Sequence, residues 1–178
     1  MTTEYLFAGF GGQGILFSGK VLAYKGLTEE KNVSWLPSYG PEMRGGTANC
    51  SVILSDDPIG APIVLQPDVL IAMNLPSLDR YEDAVKAGGS IYLDSGLIER
   101  EITRKDVKVC RIPATKMAGE YKLPGLANMI IMGKILHDLG EYNKETIEAA
   151  LHKCISARHA DMLELNWKAL ELGASYTG

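Results

Sequence analysis

Short apolar runs alternating with helical patterns up to about residue 112, continuous rather than alternating apolarity at Val69–Met73, and helical patterns alone thereafter predict an α/β fold. The architecture expected is a Rossmann-like three-layer sandwich with a mostly parallel central sheet and a helical C-terminal region, built as a single domain over residues 1–178.

Tyr5–Ala8 is an apolar run that ends in a glycine cluster, and a helical pattern starts at Gly14 with Ile15, Gly19, Leu22, Ala23 and Gly26 along one face. The small residues on that face suit a helix lying close to a sheet. Val33–Leu36 reads as a second strand, Ser38–Gly46 as a loop, and Thr47–Leu54 as a longer strand closed by Asp56, Asp57 and Pro58. Val69–Met73 has the unbroken apolarity of a parallel strand buried on both faces. Ser77, after Pro76, is placed to cap a helix running to Ala87, which Gly88 and Gly89 would stop. Ile91–Leu93 and Val107–Ile112 supply two further strands. Helices are then expected over Gly125–Leu139, over Lys144–Ile155 with Asn143 as cap, and over Ala160–Leu172, with Gly140 and Gly173 as terminators.

Composition narrows the function. Eighteen basic against twenty-two acidic residues give a net charge of −4, which offers no broad cationic surface to a nucleic acid. Three widely spaced cysteines, Cys50, Cys110 and Cys154, suggest neither a disulfide framework nor a zinc site, so a reducing cytoplasmic setting is expected. With a strand-like run beginning within the first five residues, no export signal is expected, and the most apolar stretch, Leu126–Leu136, falls short of the roughly 20 residues a membrane span needs. His137, His152 and His159 show no metal-ligand spacing, and no cysteine or serine stands in a nucleophile's local context.

The most informative motif is Gly9, Gly11 and Gly14, which spell G-x-G-x-x-G between a strand and a helix. Glycines there permit positive φ and let an anion approach the free N–H groups and positive dipole at the helix start. Gly12 and Gln13 add another glycine and a side-chain donor. The same glycines would also serve tight turning and close packing alone. A dinucleotide site would need an acid at the end of the second strand, and Val33–Pro37 ends without one. Gly14–Lys20 imitates a Walker A loop, but Val21 stands where a magnesium-binding Ser or Thr belongs. Lys20, on the first turns of the helix, is a candidate anion contact, and Arg44, in a loop that also holds Tyr39 and Glu42, is a second.

Gly9-Phe10-Gly11-Gly12-Gln13-Gly14, the Ser38–Gly46 loop running into Thr47-Ala48-Asn49-Cys50, and Leu126-Ala127-Asn128-Met129 together resemble the γ subunits of 2-oxoacid:ferredoxin oxidoreductases. Tyr39-Gly40-Pro41-Glu42-Met43-Arg44-Gly45-Gly46 is most similar to the 2-oxoglutarate and branched-chain types. The resemblance implies a non-catalytic γ subunit in a complex that decarboxylates a 2-oxoacid on thiamine diphosphate with magnesium, forms acyl-coenzyme A, and passes electrons through [4Fe-4S] clusters to ferredoxin. This chain has no Cys-x-x-Cys run and no Gly-Asp-Gly thiamine signature, so those cofactors are expected on α, β and ferredoxin-like partner subunits. The resemblance also places the glycine turn and a lysine like Lys20 near coenzyme A phosphates, although Gly19 here replaces the asparagine that precedes that lysine in the fused enzymes. An indolepyruvate oxidoreductase small subunit and a free-standing nucleotide-binding module are the competing readings, and a homodimer of the isolated chain is compatible with all three.

Overall fold

The computed structural model describes residues 1–39 and 47–178. Among the described residues, six strands form one mixed sheet in the order β2-β3-β1-β4-β5-β6. β1 (Thr2–Phe10), β4 (Val69–Ala72), β5 (Ser90–Asp94) and β6 (Lys108–Ile112) pair in parallel, while β3 (Thr47–Ser55) runs antiparallel between β1 and β2 (Asn32–Tyr39). The α/β expectation therefore holds, with β3 as the reversed strand. Its direction follows from the short connection out of β2, since a parallel return would need a crossover of a dozen or more residues.

Residues alternate across β1 as the pleat requires. Tyr5 and Phe7 pack with α1 (Ile15–Thr28), and Leu6 packs on the other face with Leu78 of α2 (Leu75–Tyr81). The first face also carries α4 (Ala127–Asp138), with α5 (Lys144–Cys154) stacked against α1 and α6 (Ala160–Ala174) against α4. The opposite face is thinner, covered by α2 and by loop residues such as Val64 and Ile98. The small face of α1 does what its composition suggests. A Cβ at Gly19 would run into Cys50 and Val52, and one at Gly26 into Leu54.

Several local expectations are corrected. Ser77 is not the cap of α2: Asn74 is, its side chain accepting the Ser77 N–H at 2.8 Å. Pro76 lies within the first turn, and the helix gives way to a single 3-10 turn at Glu82–Ala84 well before Ala87. Ser38 and Tyr39 belong to β2 rather than to a loop. Gly173 does not end α6 but lies inside it, where a Cβ would meet the backbone of Ile130. α3 (Ala114–Glu120) has no counterpart among the expected elements, because seven residues give too short a period to read. Asn143 does cap α5, accepting from the N–H groups of Glu145 and Thr146, and Gly140 follows α4 with φ at 69°.

Candidate functional site

α1 and α2 leave the adjacent parallel strands β1 and β4 toward opposite faces of the sheet, which makes the C-terminal ends of these two strands a topological switch point. The glycine turn sits there. Gly9 ends the buried part of β1, and a side chain on it would collide with Ile15 and Met73. Gly11 and Gly12 are exposed. Gly12 adopts φ of 90° with nothing within 4 Å of where a Cβ would lie, so backbone conformation rather than space demands glycine there.

Gly14 is the N-cap of α1 and has no side chain with which to satisfy the helix's first N–H groups. Leu126, the N-cap of α4, makes no side-chain cap either. Neither helix has an acidic residue in its first turn, so both present an uncompensated positive dipole end. The two ends converge. A cleft of about 430 Å³ is lined by Gly14, Phe17, Leu126, Asn128, Met162 and Asn166, and a second of about 310 Å³ by Gly12, Gln13, Met73, Thr115, Gly119 and Ala127. Gly125 borders both.

Two side-chain amides fix the turn between these clefts. Asn128 Nδ2 donates to the Gly14 carbonyl at 3.1 Å and to Ser18 Oγ at 2.9 Å, so the Leu126-Ala127-Asn128-Met129 segment docks directly on the glycine motif. On the other side, Gln13 Oε1 accepts the Phe10 N–H at 2.7 Å while Nε2 donates to the Met73 carbonyl at 2.9 Å. Buried Asp94, at the end of β5, accepts from the Thr115 N–H at 3.0 Å and from the Gly96 N–H at 2.9 Å, which pins the start of α3 beside the second cleft.

Gly9, Gly11, Gly12, Gln13 and Gly14 are thus brought together, but Lys20 is not. Its Nζ lies 5.9 Å from the ring centroid of Tyr24, one turn further along α1, and it lines neither cleft. It forms no ion pair among the described residues. Arg44 lies outside the described residues. Sequence reasoning missed Asn74 and Asp94. An acid closing a parallel strand was the available signal for Asp94, whereas Asn74 carried only the weaker signal of a cap before Pro76.

Cys154 borders the larger cleft, yet burial pushes its thiol up to about 11 against the opposing pull of Lys20, so it is protonated near neutral pH and a poor nucleophile. Among the described residues no group of three His, Cys, Asp or Glu could hold a metal ion, and no helix is long and apolar enough to cross a membrane. The dinucleotide reading loses ground as well. β1's neighbour on the α1 side is the antiparallel β3, not the parallel second strand whose end would hold a ribose.

The fold and the site together define an α/β domain that carries an open glycine turn at a switch point, with two helix ends facing the adjoining clefts. Residues 4–176 match the family model of pyruvate ferredoxin/flavodoxin oxidoreductases, and the chain belongs to that family. It is 37% identical over 170 residues to the ketoisovalerate oxidoreductase subunit VorA of Methanothermobacter thermautotrophicus, covering 95% of this chain and 35% of that protein. It is 36% identical over 154 residues to the 2-oxoglutarate synthase subunit KorC of Methanocaldococcus jannaschii, covering 85% and 82% respectively. The chain thus spans about a third of the length of the ketoisovalerate relatives and most of the 2-oxoglutarate ones. Among solved structures, the γ subunit of a keto/oxoacid ferredoxin oxidoreductase from Geobacter sulfurreducens superposes with a TM-score of 0.83 at 27% identity, covering 98% of this chain and 95% of its own. The 2-oxoglutarate:ferredoxin oxidoreductase of Magnetococcus marinus, solved with 2-oxoglutarate, coenzyme A and succinyl-CoA, matches with a TM-score of 0.86 at 25% identity over 97% of this chain and 30% of that one.

Proposed function

We propose that this chain is the γ-type subunit of a 2-oxoacid:ferredoxin oxidoreductase, and that its glycine turn holds phosphate of coenzyme A while partner subunits carry out the chemistry. The observation that carries the site is the convergence of two uncapped helix N-termini, without a nearby first-turn acid, on a turn whose outer glycines lie open. In this role the chain binds and orients. Backbone amides of Gly11, Gly12 and Gly14 meet the anion, Lys20 adds charge by swinging back along α1, and Arg44 is a further contact with the anion or with a partner subunit. Decarboxylation on thiamine diphosphate and electron passage through iron–sulfur clusters to ferredoxin fall to α, β and ferredoxin-like chains of the same complex.

Similarity to 2-oxoglutarate synthase subunits supports 2-oxoglutarate as the oxidised acid, and similarity to ketoisovalerate subunits supports a branched-chain 2-oxoacid as the second candidate. Coexpression with α, β and ferredoxin-like subunits, followed by coenzyme A-dependent ferredoxin reduction with each acid, separates them. Gly11 is exposed and is not among the positive-φ glycines, so Gly11→Asp sets a carboxylate against the site and should raise the coenzyme A KM about tenfold or more, with Gly11→Ala as the uncharged control. Turnover at an unchanged coenzyme A KM in a complex lacking this chain would overturn the proposal.

A further inference from the structure

Gln13 spends its amide on the protein. Its Oε1 accepts the Phe10 N–H at 2.7 Å and also Asn74 Nδ2 at 3.4 Å, while Nε2 donates to the Met73 carbonyl at 2.9 Å. Asn74, 4% exposed, in turn accepts the Ser77 N–H at 2.8 Å and so caps α2. One continuous set of hydrogen bonds therefore runs from the glycine turn, across the end of β4, to a helix on the opposite face of the sheet. Among the described residues, the backbone adds only the Gln13 N–H to Phe10 carbonyl bond at 3.2 Å within the turn itself, so the side chains contribute most of what holds Gly11 and Gly12 relative to the strand ends.

We infer that Gln13 and Asn74 act as a pair of positioning residues that hold the glycine turn in its anion-accepting shape, rather than Gln13 serving as a donor to the ligand. The inference rests on the coenzyme A reading above. Without the Gln13 amide, Phe10 N–H and Met73 carbonyl lose their partners, and the turn is free to fold inward over the strand ends. Asn74→Asp is the selective companion change. It keeps an oxygen for the Ser77 N–H, preserving the α2 cap, but replaces the donor that meets Gln13 Oε1 with an oxygen that repels it.

The test is a double-mutant cycle on the assembled complex, restricted to preparations that contain every subunit. Gln13→Ala should raise the coenzyme A KM about tenfold, leaving kcat and the 2-oxoacid KM within about twofold. Asn74→Asp should raise the coenzyme A KM by a smaller factor, and the double variant should match Gln13→Ala, because the introduced carboxylate then has no Gln13 oxygen left to repel. Multiplying effects, a loss in kcat equal to the rise in KM, or an unmoved coenzyme A KM in both single variants would overturn the inference. The coenzyme reading is judged separately by Gly11→Asp. If that change raises the KM and the Gln13 and Asn74 variants do not, only the positioning role fails; if it too leaves the KM unmoved, the coenzyme A site itself is wrong.

Discussion

Asn128 Nδ2 stands 3.1 Å from the Gly14 carbonyl oxygen and 2.9 Å from Ser18 Oγ, so one buried amide on α4 ties down both the cap and the first turn of α1. Gly14 holds φ at 74°, and a Cβ there would strike the same Asn128 side chain. One side chain, 114 residues from Gly14 in sequence, thus ties together the two helix ends that frame the larger cleft.

From this contact, Asn128→Ala should lower unfolding free energy by about 1–3 kcal/mol through two lost bonds and a partly unpaired Ser18. Gly14→Ala should cost at least as much, because positive φ and the collision add. In the Asn128→Ala background the collision is gone and only the φ strain remains, so the double variant should be more stable than the sum of the two losses implies. Urea denaturation midpoints of the four proteins measure this directly.

Gly173 gives a sharper packing test. Inside α6 its missing side chain lets the helix lie against the backbone of Ile130 on α4, and Gly133 does the same against Leu170. The obstacle is main chain at both points, so no rotamer can move aside. Gly173→Ala should destabilise by about 1–3 kcal/mol despite the gain in helix propensity, which the thermal midpoint would register as a fall.

That contrast shows what could be read from the chain. Strong periodicity located the helices after residue 125, and unbroken apolarity located β4, because both signals are local. Gly173 looked like a terminator since glycine weakens a helix, and its packing duty depends on Ile130, far away in sequence. The same limit applies at the candidate site. The glycine turn was visible as a motif, but the partners of the Gln13 side chain, the Met73 carbonyl and Asn74, lie some sixty residues away and carried no local signal. Lys20 looked close to the turn by residue count, yet its side chain follows α1 toward Tyr24.

Cys50 predicts a pH effect with a definite sign. It is fully buried on β3, between β1 and β2, and burial pushes its thiol up to about 12 from the ordinary 9.0, a contact with Trp35 opposing the rise. The folded state therefore favours the neutral thiol, and its contribution is complete below pH 9.0 and lost as pH climbs toward the folded value. Between about pH 8 and about pH 10 the wild-type protein should lose about 1 kcal/mol of stability from this group, a slope that Cys50→Ala lacks whatever its own packing cost. Urea midpoints of the two proteins across that range provide the comparison. Equal slopes would remove Cys50 as the cause.

Lys25 supplies the last prediction. It is 1% exposed on α1, with its Nζ 2.7 Å from Glu29 Oε1, which also accepts Thr146 Oγ1 at 2.8 Å. Glu29 keeps partial contact with water, whereas Lys25 has almost none, so the two partners are not equivalent. Glu29→Ala strands a buried ammonium and should cost about 2–4 kcal/mol, somewhat under the full penalty of a wholly buried pair because Glu29 is partly solvated. Lys25→Met fills the same space with apolar atoms and leaves Glu29 bonded to Thr146 and reachable by water, so it should cost well under half as much. Denaturant titrations of the two variants decide the matter. A larger loss for Lys25→Met would mean that the ion pair itself, rather than the stranded charge, holds the C-terminal turn of α1 to α5.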